Sequence, residues 1–255
     1  MKTLLLRLAG PMQSWGTQSQ FRERDTGLEP SKSGVIGLLC AALGRPREES
    51  VADLAALIMG VRVEHEGALR RDYQTAGGWH RRADAGYGVA KADGKPGGTV
   101  LSDRYYLADA DFLVGLSGDD EGLLHTLNDA LAAPRWPLSL GRKAFVPAVP
   151  VRLPDDPTRD GPGGIEDGDV ETVLMSYPWL GYRRPGERKP DQLRLVLESA
   201  RADGARRQDV PVSFALGRRE FRVRHVVTDF VQLEGLPQQR GGETDVPLET
   251  DAESA

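Results

Sequence analysis

The sequence has almost no sulfur chemistry: one cysteine, Cys40, in 255 residues. A lone cysteine closes no internal disulfide. Its neighbours Leu38, Leu39, Ala41 and Ala42 are apolar, so an inert buried thiol and a reducing, cytoplasmic setting are expected. Long hydrophobic runs are also missing. None approaches the roughly 20 residues of a membrane span. Residues 1–9 place one lysine ahead of the apolar run, with no small-residue cleavage site after it, so neither a membrane partner nor a signal peptide is expected. His65, His80, His125 and His225 fall in no metal-ligand spacing, and Cys40 has no companion ligand. There is no G-x-S-x-G elbow and no P-loop. No cofactor is expected. A surplus of positive charge is missing too: the net charge is −5, which argues against an isolated, broadly basic nucleic-acid binder.

What is present is uneven. Hydrophobic residues make up 39% and charged residues 28%, enough for a real core. Residues 236–255 hold Glu243, Asp245, Glu249, Asp251 and Glu253 against Arg240 alone, a net −4 that leaves −1 for residues 1–235. That acidic tail has no apolar period and reads as disordered. Thr3–Ala9 reads as a buried strand. Val35, Leu38, Leu39, Ala42 and Leu43 follow helical spacing, with Ser31 or Ser33 as N-cap, Gly44 at C′ and Pro46 beyond. A short helix is expected near Ser50–Met59. Val61 to Glu66 alternates as a half-buried strand does, with Val61 and Val63 inward. Further strands are expected at Arg104–Leu107 and Phe112–Val114, then a helix on Leu123, Leu124, Leu127 and Leu131, then a last extended run after "PRWPLSLGRKAFVPAVPVRL". The order is the ferredoxin-like (RRM-like) βαββαβ plan of an α+β protein. The intervening Gly- and Arg-rich stretch is a projecting hairpin or an arm that orders on binding. The expected organisation is a domain over 1–153 with an arm at about 75–102, a Pro/Gly/Asp-rich linker over 154–170, a small β-rich part over 171–235, and the tail. No internal repeat emerges.

Three segments carry cations with aromatics or hydroxyls, and each has a bland reading beside the functional one. In "PMQSWGTQSQFRERDTGLEPSKSG", residues 11–34, a helix N-terminus with Ser31, Lys32 and Ser33 suits phosphate. Trp15 and Phe21 offer ring faces, Arg22 and Arg24 suit phosphates, and Gln13 and Ser14 complete the segment. The bland reading is a cap, a core tryptophan and solvated arginines. In "LSLGRKAF", Gly141, Arg142 and Lys143 form either a second phosphate-holding turn or a plain surface turn. In the arm, Trp79, His80, Arg81 and Arg82, with Tyr73 before them, suit single-stranded RNA; the alternative is a solvated hairpin tip. His80 or Tyr73 can also be drafted as acid–base groups of a metal-independent ribonuclease.

"LLLRLAGPMQSWGTQSQF", "PSKSGVIGLLCAALG", "LRRDYQTA", "SDRYYLADADFLVGL" and "PLSLGRKAFVP" occur in order over about residues 3–150, with a weaker echo at "FALGRREFRVRHVV". On these the chain resembles the CasD-type (Cas-five) subunits of type I-E Cascade CRISPR complexes. The resemblance implies a RAMP-superfamily ferredoxin-like domain with a thumb-like β-hairpin. It implies a non-catalytic role in antiviral ribonucleoprotein assembly: gripping the 5′ handle of the CRISPR RNA and capping the subunit filament. The partners it implies are the Cascade backbone subunit and the large subunit that reads the protospacer-adjacent motif. Target DNA is met only indirectly, and a separate subunit cuts the precursor RNA. Carried over by position, Gln13, Ser14, Trp15, Ser31, Lys32, Ser33, Gly141, Arg142 and Lys143 become handle contacts and the arm becomes the thumb, although here it is Gly-rich. The rivals are a metal-independent endoribonuclease that cuts repeat RNA and a protein-binding adaptor without RNA contact.

Overall fold

The computed structural model describes residues 1–17, 22–77, 98–155, 163–181, 190–201 and 203–235. In chain order the elements are β1 (Lys2–Ala9), β2 (Met12–Gln13), β3 (Glu23–Arg24), α1 (Lys32–Leu43), α2 (Ala52–Ala56), β4 (Ile58–His65), β5 (Ala68–Ala76), β6 (Val100–Ala108), β7 (Asp111–Gly118), α3 (Glu121–Ala132), β8 (Ile165–Asp167), α4 (Val170–Ser176), β9 (Gln192–Ser199), β10 (Ala205–Ser213) and β11 (Glu220–Gln232). A seven-stranded antiparallel sheet runs β10-β11-β9-β4-β7-β1-β8. None of the described helices is long and apolar enough to cross a membrane.

Both faces of the sheet are covered, which explains the near-continuous apolar runs of β1 and β7. Leu4, Leu6 and Leu8 join the core under α1 and α3, whereas Leu5 joins a second core with Leu113, Val170 and Leu174 beneath α4. α1 ends as its sequence predicts. Gly44 takes φ 71°, and the N–H groups of Gly44 and Arg45 close on the carbonyls of Ala41 and Cys40. A left-handed residue there favours glycine. Cys40 is buried in this helix, and burial pushes its thiol up to about 11.

Several expectations are corrected. The helix near Ser50–Met59 stops at Ala56 because the chain enters β4 at Ile58. β4 is not half-buried: Arg62 and Glu64 are 0% and 3% exposed. They pair at 2.6 Å, Arg62 donates to the carbonyls of Leu174 and Pro178, and Glu64 accepts from the Leu180 N–H. Burial raises the Glu64 carboxyl above the usual carboxylate range, against the pull of Arg62. Arg7 does similar work, gripping Asp111 at 2.6 Å and the Leu180 carbonyl at 2.7 Å. These two pairs hold the segment after α4 onto the sheet.

The stretch read as a linker, 154–170, carries β8, which pairs with Lys2–Leu4 of β1. Arg152 forms an isolated bridge to Leu6, so the last extended run contributes one bridge and the paired strand comes later. The C-terminal strands form no separate sheet. β9 pairs with β4 through Gly60–Arg62, and β11 then pairs with β9. The acidic tail lies outside the described residues.

A four-charge cluster fastens these strands to α1. Lys32, 2% exposed, holds both oxygens of Glu198 on β9 at 3.1 and 2.9 Å. Its backbone N–H donates to Asp209 on β10 at 2.8 Å, and Asp209 is gripped bidentately by Arg224 of β11. Glu198 also accepts from the Met59 N–H. Burial pulls the Lys32 ammonium below its usual pKa, opposed by Glu198. Removing one partner of a buried pair costs about 3–5 kcal/mol. Lys32→Met is expected to lower unfolding stability by roughly 3 kcal/mol, because Glu198 keeps some water contact. Exposed Lys143→Ala should stay within about 0.5 kcal/mol. Urea unfolding of both variants checks this; equal midpoints would remove the cluster's structural role.

Candidate nucleic-acid interface

The opening segment leaves β1 at Gly10 and folds back on itself. The Trp15 N–H donates to Thr26 Oγ1 and the Gly27 N–H to the Trp15 carbonyl. Its polar side chains serve the irregular backbone between the short strands β2 and β3. Gln13, fully buried, donates through Nε2 to the Leu8 and Ala110 carbonyls and accepts from the Trp15 indole N–H. Ser14 Oγ donates to the Tyr105 carbonyl at 3.2 Å. Trp15 is 1% exposed, its ring packed on the first turn of α1 so closely that a Cβ on Gly34 would lie 2.8 Å from it. Of the two roles open to Gln13 and Trp15, touching a ligand or ordering the loop that does, their burial fits the second: no ring face remains for stacking.

β6 is the meeting place. Along one edge it pairs with β5 over nine residues, Ala68–Ala76 against Val100–Ala108, so the arm begins as a hairpin. Along the other it pairs with β2 and, in parallel, with β3. Tyr73 is exposed on β5, opposite Asp103. Trp79, His80, Arg81, Arg82 and Phe21 lie outside the described residues.

The 141 turn docks against this assembly. Gly141 takes φ 89° and touches the Ser14 backbone; a Cβ there would fall on the Ser14 carbonyl. The Ser14 N–H donates to the Leu140 carbonyl. Arg142 lies over the Phe145 ring at 5.5 Å and donates through Nη2 to the carbonyls of Tyr105 and Arg24, at 2.9 and 3.2 Å. Burial, then the Arg104 cation, holds its guanidinium below the usual value. Arg142 is thus mainly a strut, and only Lys143 of the pair is fully exposed.

Lys32 is corrected as well. It starts α1 beside Ser31 and Ser33, but its ammonium turns inward to Glu198 and a carboxylate, Asp209, already takes its N–H. Ser31 is the N-cap, accepting from the Gly34 N–H. The hydroxyls of Ser31 and Ser33 still border a groove of about 600 Å³, together with Arg24, Arg47, Trp136, Gly141 and Arg219. Two turns far apart in the chain do share a rim, but Lys32 does not supply its charge.

Sequence reasoning missed Arg47, Trp136, Arg219 and the aromatic pair Phe214–Phe221, all groove residues. Arg47 follows the helix stop at Gly44-Arg45-Pro46, where cations read as solvated. Trp136 is 46% exposed. It is set by backbone bonds from Arg135 and Trp136 to the last carbonyls of α1, a contact no periodicity reveals. Arg24, Arg47 and Arg219 on the groove lining have no carboxylate partner among the described residues, nor does exposed Lys143 on the turn beside it. Such a groove can hold a polyanion by charge and an unstacked base on Trp136. Arg142→Ala should speed amide hydrogen exchange at residues 22–26 and 103–107, and Lys143→Ala should not. Equal protection in the two variants would count against the strut.

The model for the family CRISPR-associated protein (Cas_Cas5) matches residues 3–227. The chain is similar to the CRISPR system Cascade subunit CasD of Escherichia coli (strain K12), with 32% identity over 194 residues, covering 70% of this chain and 78% of that protein. A solved Cas protein superposes with TM-score 0.70 at 40% identity, covering 93% of this chain and 98% of its own. A chain of a CRISPR RNA-guided surveillance complex gives TM-score 0.71 at 34% identity, covering 93% and 95%.

Proposed function

Because the chain belongs to the CRISPR-associated Cas5 family, we propose that it is a non-catalytic RNA-binding and assembly subunit of a type I-E CRISPR surveillance complex. On this reading it grips the 5′ handle of the CRISPR RNA in the groove beside α1. It caps the filament against the backbone subunit, contacts the large subunit, and meets target DNA only through them, as a cytoplasmic ribonucleoprotein. The unit β8-β1-β7-β4, with α1 and α3 on one face, fits a ferredoxin-like βαββαβ domain, and the β5–β6 hairpin fits the thumb.

One observation carries the reading. The groove joins the opening segment, the α1 N-terminus, the 141 turn and the β10–β11 hairpin, and Arg24, Arg47 and Arg219 on its lining have no carboxylate partner among the described residues. A bent single strand needs this combination: phosphates held at several points while a base unstacks. The net negative charge is compatible, since neighbouring subunits would contribute the rest of the channel.

The assay is binding of 5′-handle RNA by the reconstituted complex across a salt series. Alanine at Arg24, Arg47 or Lys143 should each reduce the slope of log affinity against log salt by about 0.7. Trp136→Ala should cost about 1–3 kcal/mol of binding for a stacked base. Lys32→Met, compared below its unfolding transition, should leave the slope unchanged. Unchanged slopes in the first three would refute the phosphate assignment. A discrete cut of precursor RNA in chelator, lost in Tyr73→Phe or His80→Ala, would instead establish the endoribonuclease.

A further inference from the structure

No domain-sized repeat is present, yet a six-residue pattern, L-G-R-(K/R)-x-F, occurs twice. It spans Leu140-Gly141-Arg142-Lys143-Ala144-Phe145 and Leu216-Gly217-Arg218-Arg219-Glu220-Phe221. Both copies turn on a glycine of positive φ, 89° and 76°, and both border the same groove, the first through Gly141, the second through Arg219 and Phe221. They differ in what they hold.

The first copy grips a peptide. Leu140 is fully buried, Gly141 lets two backbones touch, and Arg142 donates to two main-chain carbonyls of the opening segment and the arm. The tip of the second copy holds no main chain among the described residues. Leu216 is 82% exposed, the most exposed large apolar residue described. A Cβ on Gly217 would meet nothing within 4 Å, and Arg218 is exposed, with no acceptor among the described residues. The turn itself is well supported. The Arg218 N–H donates to the Ala215 carbonyl at 3.0 Å, Phe214 and Phe221 pack at 6.3 Å behind the tip, and Arg224–Asp209 fixes the β10–β11 hairpin below it. Gly217 thus presents an apolar anchor and a cation on a rigid base.

We propose that the β10–β11 turn docks an extended peptide segment of a neighbouring protein subunit. Leu216 enters an apolar recess of that subunit, the segment's backbone passes against Gly217, and Arg218 donates to its carbonyls. The proposal rests on the assembly role given above and extends it to a named surface. The occupant is a peptide and not the RNA for two reasons. Leucine has no ring face on which a base stacks, and the twin turn in the same molecule solves the same pattern by holding main chain. Arg219 and Phe221 face the groove, so Leu216 and Arg218 are the residues that separate the two surfaces.

The test uses the complex reconstituted from its cognate subunits and CRISPR RNA. An aliphatic diazirine residue replaces Leu216, and the products of irradiation are mapped by mass spectrometry. The expected adduct is a peptide of another protein subunit. An adduct on RNA, or none above that of the same probe at exposed Glu48, overturns the proposal. In parallel, Leu216→Asp and Arg218→Ala should each weaken incorporation into the complex at least about tenfold, as anchor truncations do. Handle-RNA affinity should stay within about twofold. Incorporation unchanged in both variants overturns the docking turn and leaves the handle reading standing. Loss of the handle-RNA salt dependence in the Arg24 and Arg47 variants bears on the groove alone. Circular dichroism confirms that the variants fold, as the exposure of both side chains leads one to expect.

Discussion

The architecture turns on four charges taken out of water together. Lys32, Glu198, Asp209 and Arg224 come from α1, β9, β10 and β11, and they sum to zero. Each is costly to bury alone, and each becomes tolerable because its neighbours supply both opposite charge and hydrogen bonds. The cluster makes the C-terminal strands part of the same body as α1. It also swings the β10–β11 hairpin to the rim of the groove that the N-terminal elements begin. Together with β11–β9 pairing and the packing of Val210, Val226 and Phe214 on the core, it sets Arg219, Phe214 and Phe221 on the groove that Ser31 and Ser33 also line. The helix N-terminus is thereby filled from inside: Asp209 occupies the place a phosphate was expected to take.

A second constraint shapes the opposite side of that groove. An irregular chain cannot be buried unless its amides find partners. Among the described residues of the opening segment, Gln13, Ser14 and Thr26 meet that demand beside the short pairings of β2 and β3 with β6. The amides and hydroxyls that resemble a ligand surface in sequence are the internal wiring of a loop. What the loop leaves pointing outward is Arg24, exposed on the rim of the groove.

What was legible in the sequence follows from the range of the interaction involved. α1 and its ends were readable because capping at Ser31 and the left-handed Gly44 are decided within a few residues. The strands β1 and β7 were readable from apolar runs. β8 was not: three residues are too few for any period, and only β1 defines them as a strand. β4 misled because Arg62 and Glu64 look like a solvent face, and it takes α4 and the loop to Leu180 to bury them. The site was half legible. The opening segment, the base of the arm and the 141 turn do converge on β6, but Lys32 was assigned outward when it faces in, while Trp15 and Gln13 order the loop, one of the two roles open to them. Arg47, Trp136 and Arg219 were invisible because tertiary contacts alone place them.

The sorting of arginines gives the general point. Arg7, Arg45, Arg62, Arg194, Arg207 and Arg224 each have a carboxylate within ion-pair distance, and they hold the body together. Arg24, Arg47, Arg218, Arg219 and Lys143 have none among the described residues. A total charge count mixes these two populations, which is why a net of −5 says little about whether the protein holds a polyanion. The potential a ligand meets is set by such unpaired cations, and Arg24, Arg47 and Arg219 among them line the groove. The two L-G-R turns mark the boundary between the populations. Identical chemistry serves cohesion where the arginine finds carbonyls within its own chain, as Arg142 does, and is left exposed at Arg218, which has no acceptor among the described residues.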